Sequence, residues 1–209
     1  MCLALGDVSA NVVALDLDGE KAQSVADQGK AETGGKALTI ATDSTDPASL
    51  DGALKQIESE FGLPYGLVNA TQYRGNGFYE SDRVDHPLEA WNQVFNVNFT
   101  GVLLAHQKSG KAIMERGGGS IVNLSSTYGV VSADPRIYGD SGVNSLISYA
   151  RSKSTILNMS RYLAFHWREK NIRVNTLIPR GVFDNQGDEF EKNYTSRAPL
   201  GRMPKAEEY

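Results

Sequence analysis

The sequence predicts an α/β fold, a doubly wound parallel sheet in three layers. Two observations predict it. Short, apolar, β-branched runs alternate with segments whose apolar residues recur at helical spacing, the order that a parallel sheet with crossover helices requires. Polar residues also collect where those runs end, and open parallel sheets bind ligands outside the carboxyl ends of their strands.

In chain order, residues 1–9 read as the tail of a helix, and N-V-V-A-L-D at 11–16 is the first strand. Its nearly unbroken apolar run suits a strand buried on both faces. A polar helix is expected from Gly19 to about Thr33, closed by Gly34-Gly35, with K-A-L-T-I-A at 36–41 as the next strand. Asp46-Pro47 then supplies an N-cap and a proline at the first helical position. Leu50, Leu54, Ile57 and Phe61 form the apolar stripe of that helix, and Gly62 stops it.

G-L-V-N at 66–69 is a third, very short strand, and 71–85 is loop-like. One long helix is expected from Pro87 through Trp91, Val94, Phe95, Asn98 and Val102 to Met114, broken by Gly117-Gly118-Gly119. S-I-V-N-L-S at 120–125 is the fourth strand. Residues 129–148 read as a loop of a length that is usually functional or disordered. A helix from Tyr149 to about Glu169 and a strand at 172–177 follow, then a polar stretch with a short helix near 188–193. No repeat or linker interrupts the chain, so a single domain over 1–209 is expected.

Composition narrows the function classes. The formal net charge is −4 and Lys and Arg form no cluster, which argues against nucleic acid and anionic membrane surfaces as partners. No apolar stretch approaches the roughly 20 residues of a membrane span. Cys2 is the sole cysteine, so no internal disulfide can form, and a reducing, cytoplasmic location is the default. The Asn-x-Ser/Thr triplets at Asn69, Asn98, Asn123, Asn158 and Asn193 therefore read as accidental. His86, His106 and His166 are scattered without ligand spacing, and no metal site is expected.

The candidate chemistry centres on Y-A-R-S-K at 149–153. Residues four apart on a helix share a face, so Tyr149 and Lys153 would point into one cleft. An ammonium beside a phenol favours the phenolate, which gives a proton donor and acceptor usable near neutral pH. In a chain with nine tyrosines such a pair also arises by chance, and its neighbours decide the matter. Asp16, Asp43, Asn69, Ser125-Ser126, and Pro179 with Gly181 stand at the ends of the five strands. Any one of them alone could be a turn or capping residue.

Together these segments resemble the NAD(P)-dependent short-chain dehydrogenase/reductase family, whose fold is Rossmann-like. The carrying features are Asp16 after V-V-A-L, L-V-N at 67–69, N-V-N-F-T-G at 96–101 and G-S-I-V-N-L-S-S-T-Y-G at 119–129. Y-A-R-S-K at 149–153 and I-R-V-N-T-L-I-P at 172–179 complete the set, in the family's order and over nearly the whole chain. The loop before Tyr149, R-G-V-F-D-N-Q at 180–186 and P-L-G-R-M-P-K-A-E-E at 199–208 resemble a narrower branch, bacterial oxidoreductases of flagellin-glycan and surface-sugar pathways.

The resemblance implies roles. Tyr149 would be the acid in carbonyl reduction and the base in alcohol oxidation. Lys153 would assist it and bond the nicotinamide ribose. Ser126, with Ser125 as the lesser candidate, would hydrogen-bond the substrate oxygen. Asn98 would hold a water linking Lys153 to solvent, or would simply be a buried helix asparagine. Asp16 would bind the adenosine ribose and favour NAD over NADP, because a carboxylate repels a 2′-phosphate. Asp43 would lie near the adenine and Asn69 beside its ribose, with Pro179, Gly181 and Val182 flanking the nicotinamide. Tyr128 and Tyr138 would cover the substrate or pack the loop. The substrate would be a small alcohol or carbonyl compound, and the family's habit implies a homo-oligomer, a dimer or tetramer.

The chain also departs from the family. It contains no G-x-G-x-x-G, and Asp16 has too few residues before it to hold one about 20 positions upstream. The glycine turn and the central first strand would therefore precede Met1, leaving two strand edges facing a gap. Tyr209 likewise falls before the family's last strand. N-A-T-Q at 69–72 replaces the usual N-N-A-G, Arg180 follows Pro179 where glycine is usual, and the interval from Ser126 to Tyr149 is long. The competing expectation is a cofactor-deficient chain of the same ancestry, non-catalytic or dependent on a partner.

Overall fold

The computed structural model describes residues 1–74, 85–140 and 145–209. These form two compact units interleaved along the chain. The first comprises Met1–Leu67, Thr100–Gly119 and Lys170–Ile172, the second Val68–Phe99, Ser120–Glu169 and Arg173–Tyr209.

The expected strands form: β1 (Val12–Asp16), β2 (Ala37–Ala41), β3 (Gly66–Asn69), β4 (Gly119–Leu124) and β5 (Ile172–Leu177). They make two sheets, β1-β2 and β3-β4-β5. β1 and β2 run parallel, with Val12 opposite Ala37 and Asp16 opposite Ala41. Parallel strands with flanking helices make this a Rossmann-like α/β arrangement.

In the first unit, α1 (Cys2–Asp7) packs on α2 (Gly19–Thr33), which covers β1 and β2. The boundaries of α2 follow from its ends. The Asp18 side chain accepts the Lys21 N–H as N-cap, and Gly34 closes the helix at φ 67°, a left-handed conformation that favours glycine. Asp46 caps α3 (Pro47–Phe61) by accepting the Ala48 N–H. Ile40, Ala53 and Ile57 form the core here, with Val13, Leu38 and Leu54 packed around them. α5 (Val102–Arg116) lies against α3 and is tied to it by Lys108 and Asp51 at 2.6 Å.

In the second unit, α4 (Leu88–Phe95) packs on α6 (Ile147–His166), and α7 (Asp188–Thr195) packs on the Pro135–Ile137 turn. A second core gathers Ile137, Tyr138, Tyr194, Ala198 and Met203, with Tyr128 and Phe190 against it.

Two boundaries differ from the expectation. The long helix expected from Pro87 to Met114 is interrupted by a π-helical stretch, Asn96–Gly101, between α4 and α5. Apolar spacing cannot reveal one wide turn, because the stripe continues on either side of it. The helix expected from Tyr149 begins at Ile147, after buried Leu146, and ends at His166, with Arg168–Lys170 a separate 3-10 turn. Parts of the expected 71–85 and 129–148 loops lie outside the described residues.

Candidate active site

α6 carries Tyr149 and Lys153 in its first two turns. Lys153 is buried, 2% exposed, although lysine is seldom found inside. Its ammonium donates to the Leu124 carbonyl at 3.1 Å and reaches the Thr71 carbonyl at 3.4 Å. It stands 5.9 Å from the centre of the Tyr149 ring. Burial, and secondarily the charge of Arg74, pull the Lys153 ammonium down to about 8 from its ordinary 10.5. The two side chains therefore share the face that their spacing predicts.

The next contributor is the turn after β4. Ser125 is buried, and its hydroxyl donates to the Lys153 main-chain carbonyl at 2.7 Å. Ser126 is half-buried and caps the 3-10 turn Thr127–Gly129 by accepting the Tyr128 N–H at 3.2 Å. The Ser126 O–H has no acceptor among the described residues, so it remains a donor for an oxygen brought to the site. The two adjacent serines thus divide between fastening the helix and capping the turn.

Gly129 lets this turn approach α6. A Cβ there would meet the Ser125 hydroxyl at 2.7 Å and the Lys153 carbonyl at 2.8 Å, closer than real Cβ atoms come.

Asn98 is fully buried within the π-helical stretch. Its side chain grips the backbone of Tyr73 twice, accepting the N–H at 2.6 Å and donating to the carbonyl at 2.9 Å. The remaining amide hydrogen goes to Ser152 at 3.2 Å. The π turn directs this side chain inward, and such turns often mark functional sites.

Asn69 is buried and donates to Asn123 at 2.8 Å, which donates to Ser160 of α6 at 2.9 Å. This interior polar chain joins β3, β4 and α6. It gives Asn69 a structural bond besides any ligand contact.

The 179–182 segment is held from several sides. The Pro179 carbonyl accepts the Thr127 N–H at 3.1 Å and its hydroxyl at 3.2 Å, beside Ser126. The Gly181 N–H donates to the Tyr194 hydroxyl at 2.7 Å, and a Cβ at Gly181 would stand 3.0–3.1 Å from that side chain, a tight contact. The Arg180 guanidinium lies 5.5 Å over the same ring, and Val182 accepts from the Gln186 amide. Tyr128 and Tyr138 meet hydroxyl to hydroxyl at 3.2 Å. Burial pushes Tyr128 far above the usual tyrosine range, and the neighbouring phenols Tyr138, Tyr194 and Tyr149 add to it. The second unit thus brings together Ser126, Tyr149, Lys153, Asn98 and the 179–182 segment.

Asp16 and Asp43 belong to the first unit. Asp16 is exposed at the carboxyl end of β1, and one carboxylate oxygen accepts the Asp18 N–H at 2.9 Å. Asp43 accepts both the N–H and the hydroxyl of Thr45, at 2.8 and 2.7 Å. No group of His, Cys, Asp and Glu able to hold a metal occurs among the described residues. No helix among them is long and apolar enough to cross a membrane.

Sequence reasoning missed Ser152, Tyr194 and the 71–73 backbone. Ser152 lay inside the Y-A-R-S-K motif, and its place one residue before Lys153 was the available signal. Nothing in the sequence pointed to Tyr194, which reaches Gly181 only through the fold.

With this geometry in hand, the chain is similar to several known proteins. A family model described as Enoyl-(Acyl carrier protein) reductase matches residues 2–209. Inactive 2-(S)-hydroxypropyl-CoM dehydrogenase 2 of Xanthobacter autotrophicus is 29% identical over 97% of this chain and 85% of that protein. The 2,5-dichloro-2,5-cyclohexadiene-1,4-diol dehydrogenase of Sphingobium indicum is 30% identical over 93% of this chain and 73% of its own length. Post-translational flagellin modification protein A of Campylobacter coli, in the narrower branch, is 29% identical over 75% of this chain and 61% of that protein. Among solved structures, a short-chain dehydrogenase of Leptospira borgpetersenii with bound NAD+ matches with a TM-score of 0.78 at 27% identity, covering 94% of this chain and 81% of that one. A short-chain type dehydrogenase/reductase of Mycobacterium marinum gives a TM-score of 0.86 at 28% identity, over 99% of this chain and 78% of its counterpart.

Proposed function

The chain belongs to the short-chain dehydrogenase/reductase family, and we propose that it is an NAD-dependent oxidoreductase acting on a hydroxyl or carbonyl of a small polar, sugar-like molecule. One observation carries the reading. The uncommitted Ser126 O–H and the Tyr149–Lys153 pair sit on two elements fastened to each other by the Ser125 hydroxyl. Hydride chemistry at a carbonyl needs a proton source at the oxygen and a donor that polarises it, held in fixed relation.

Each unit, taken by itself, offers donors that suit part of a nicotinamide dinucleotide. Asp16 offers an exposed carboxylate oxygen to a ribose diol, and Lys153 offers a desolvated ammonium to a second ribose. Asp43 and Asn69 stand at strand ends suited to the adenosine half, and Pro179, Gly181 and Val182 would flank the nicotinamide. The bound cofactor supplies the hydride acceptor or donor. The protein's part is acid–base chemistry and positioning. Ser126 donates to the substrate oxygen. The Tyr149 hydroxyl gives its proton to that oxygen in reduction and takes one from it in oxidation. Lys153 steadies the phenolate. The Asn98 side chain is already engaged, so its main-chain carbonyl is what it can offer a water leading from Lys153 to solvent.

Relatives named for diol oxidation support an alcohol or carbonyl substrate, and a neighbour with bound NAD+ supports the cofactor class. Tyr162 and Phe165, exposed on α6, support association with a second copy as a dimer or tetramer. A cytoplasmic location fits the sole cysteine, Cys2.

A second reading is a cofactor-deficient, non-catalytic or partner-dependent chain. It is favoured by the lack of any G-x-G-x-x-G in this sequence, and one relative bears the name of an inactive dehydrogenase. NADH titration separates the two. The enzyme reading expects a fluorescence change with a micromolar Kd and NAD+-linked oxidation of a polyol such as threitol. The second expects neither.

A further inference from the structure

The Ser152 hydroxyl lies between the two sides of the candidate site. It is fully buried, donates to the Tyr149 carbonyl at 2.8 Å, and accepts from the Asn98 amide at 3.2 Å. Asn98 fixes both backbone polar groups of Tyr73. Two residues earlier, the Thr71 carbonyl faces the Lys153 ammonium at 3.4 Å. The path therefore leaves α6 at Tyr149 and Ser152, crosses Asn98 and the 71–73 backbone, and returns to α6 at Lys153.

We propose that Ser152 is a positioning residue: it orients the Asn98 amide and, through the 71–73 backbone, the carbonyl against which the Lys153 ammonium is held. The proposal rests on the oxidoreductase reading for its catalytic meaning.

Hydrogen-bond inventory supports it. A primary amide has two donor hydrogens and one acceptor oxygen in fixed relation. Asn98 spends the acceptor and one donor on Tyr73, and the second donor on Ser152. With Ser152 in place, rotation of the amide would set its carbonyl against the Tyr73 carbonyl and strand an N–H in the interior. Removal of the Ser152 oxygen leaves that second N–H buried without an acceptor, so the amide gains by tilting and the 71–73 backbone moves with it. At a desolvated ammonium, loss of one carbonyl is felt strongly.

Ser160 provides a matched control on the same helix. It too is buried and donates back to a helix carbonyl, that of Ile156 at 2.8 Å, but it accepts from Asn123 instead. Its path does not lead to Lys153.

The test follows the Lys153 titration by carbon NMR of lysine labelled at Cε, beside the pH profile of NAD+-linked oxidation. Ser152→Ala should move the Lys153 titration down by about one unit, the partial loss of a charge-assisted hydrogen bond. The matching limb of the pH profile should move with it. Ser160→Ala should lose thermal stability but leave the titration in place. Should Ser152→Ala fail to fold, Ser152→Cys, with a weaker acceptor, should give a smaller shift of the same sign. A Ser152 variant whose Lys153 titrates as in the wild type overturns the proposal. The NMR arm needs no turnover, so a wild type that neither binds NADH nor oxidises any alcohol defeats the oxidoreductase reading separately.

Discussion

The Ser125 hydroxyl is bonded to the Lys153 main-chain carbonyl at 2.7 Å, and the Lys153 ammonium turns back to the carbonyl of Leu124, the residue before Ser125, at 3.1 Å. The end of β4 and the second turn of α6 are thereby cross-linked twice. The adjacent serines should separate in experiment. Ser125→Ala removes a buried hydrogen bond and should cost about 1–2 kcal/mol in urea denaturation. Ser126→Ala removes the cap of the short Thr127–Gly129 turn and should cost less, about 0.5 kcal/mol, while lowering kcat/KM. Equal stability losses from both would refute this division.

Gly129 should resist even the smallest side chain. The added methyl of Gly129→Ala would press on the Ser125 hydroxyl and the Lys153 carbonyl. Overpacking of this kind costs about 1–3 kcal/mol. The thermal midpoint should fall accordingly, and an unchanged midpoint would mean that the turn can move away from α6.

Lys153 should leave a signature in stability against pH. Its folded value is about 8, against 10.5 when solvated. Between those values the unfolded chain binds the proton that the folded chain has released, so stability rises with pH. Below about 8 both states are protonated and the cost of burying the charge is fully present. Above 10.5 neither is, and the cost is gone. Lys153→Met should abolish this rise. A wild type whose stability is flat across the window would contradict the burial of a charged amine.

Asp16 should govern cofactor choice. Its carboxylate stands exposed at the end of β1 with one oxygen held by Asp18. Asp16→Ser removes the charge that repels a 2′-phosphate, and kcat/KM with NADP+ should rise roughly tenfold relative to that with NAD+. An unchanged ratio would remove Asp16 from the cofactor site.

Much of this was legible in the sequence, for identifiable reasons. The extent of α2 follows from its own cap and its closing glycines, which are local signals. β5 lies between Asn171, at φ 55°, and Pro179, and is equally local. The Tyr149–Lys153 face follows from helical spacing alone. The π turn at Asn98 was not legible, because it answers to the Tyr73 backbone far along the chain. The division of labour between Ser125 and Ser126 was only half legible. Which hydroxyl turns inward depends on the approach of α6. Asn69 was read as a ligand residue, and its bond to Asn123 could be seen only once β3 and β4 were adjacent.

The most direct test of the central claim is Tyr149→Phe in the full chain, which removes one oxygen. NADH should bind as tightly as to the wild type, the thermal midpoint should stay within a few degrees, and NAD+-linked oxidation should fall by about 10²–10⁴-fold, the contribution of a positioned acid–base group. Turnover by the phenylalanine variant at the wild-type rate would show that the proton at the substrate oxygen comes from elsewhere.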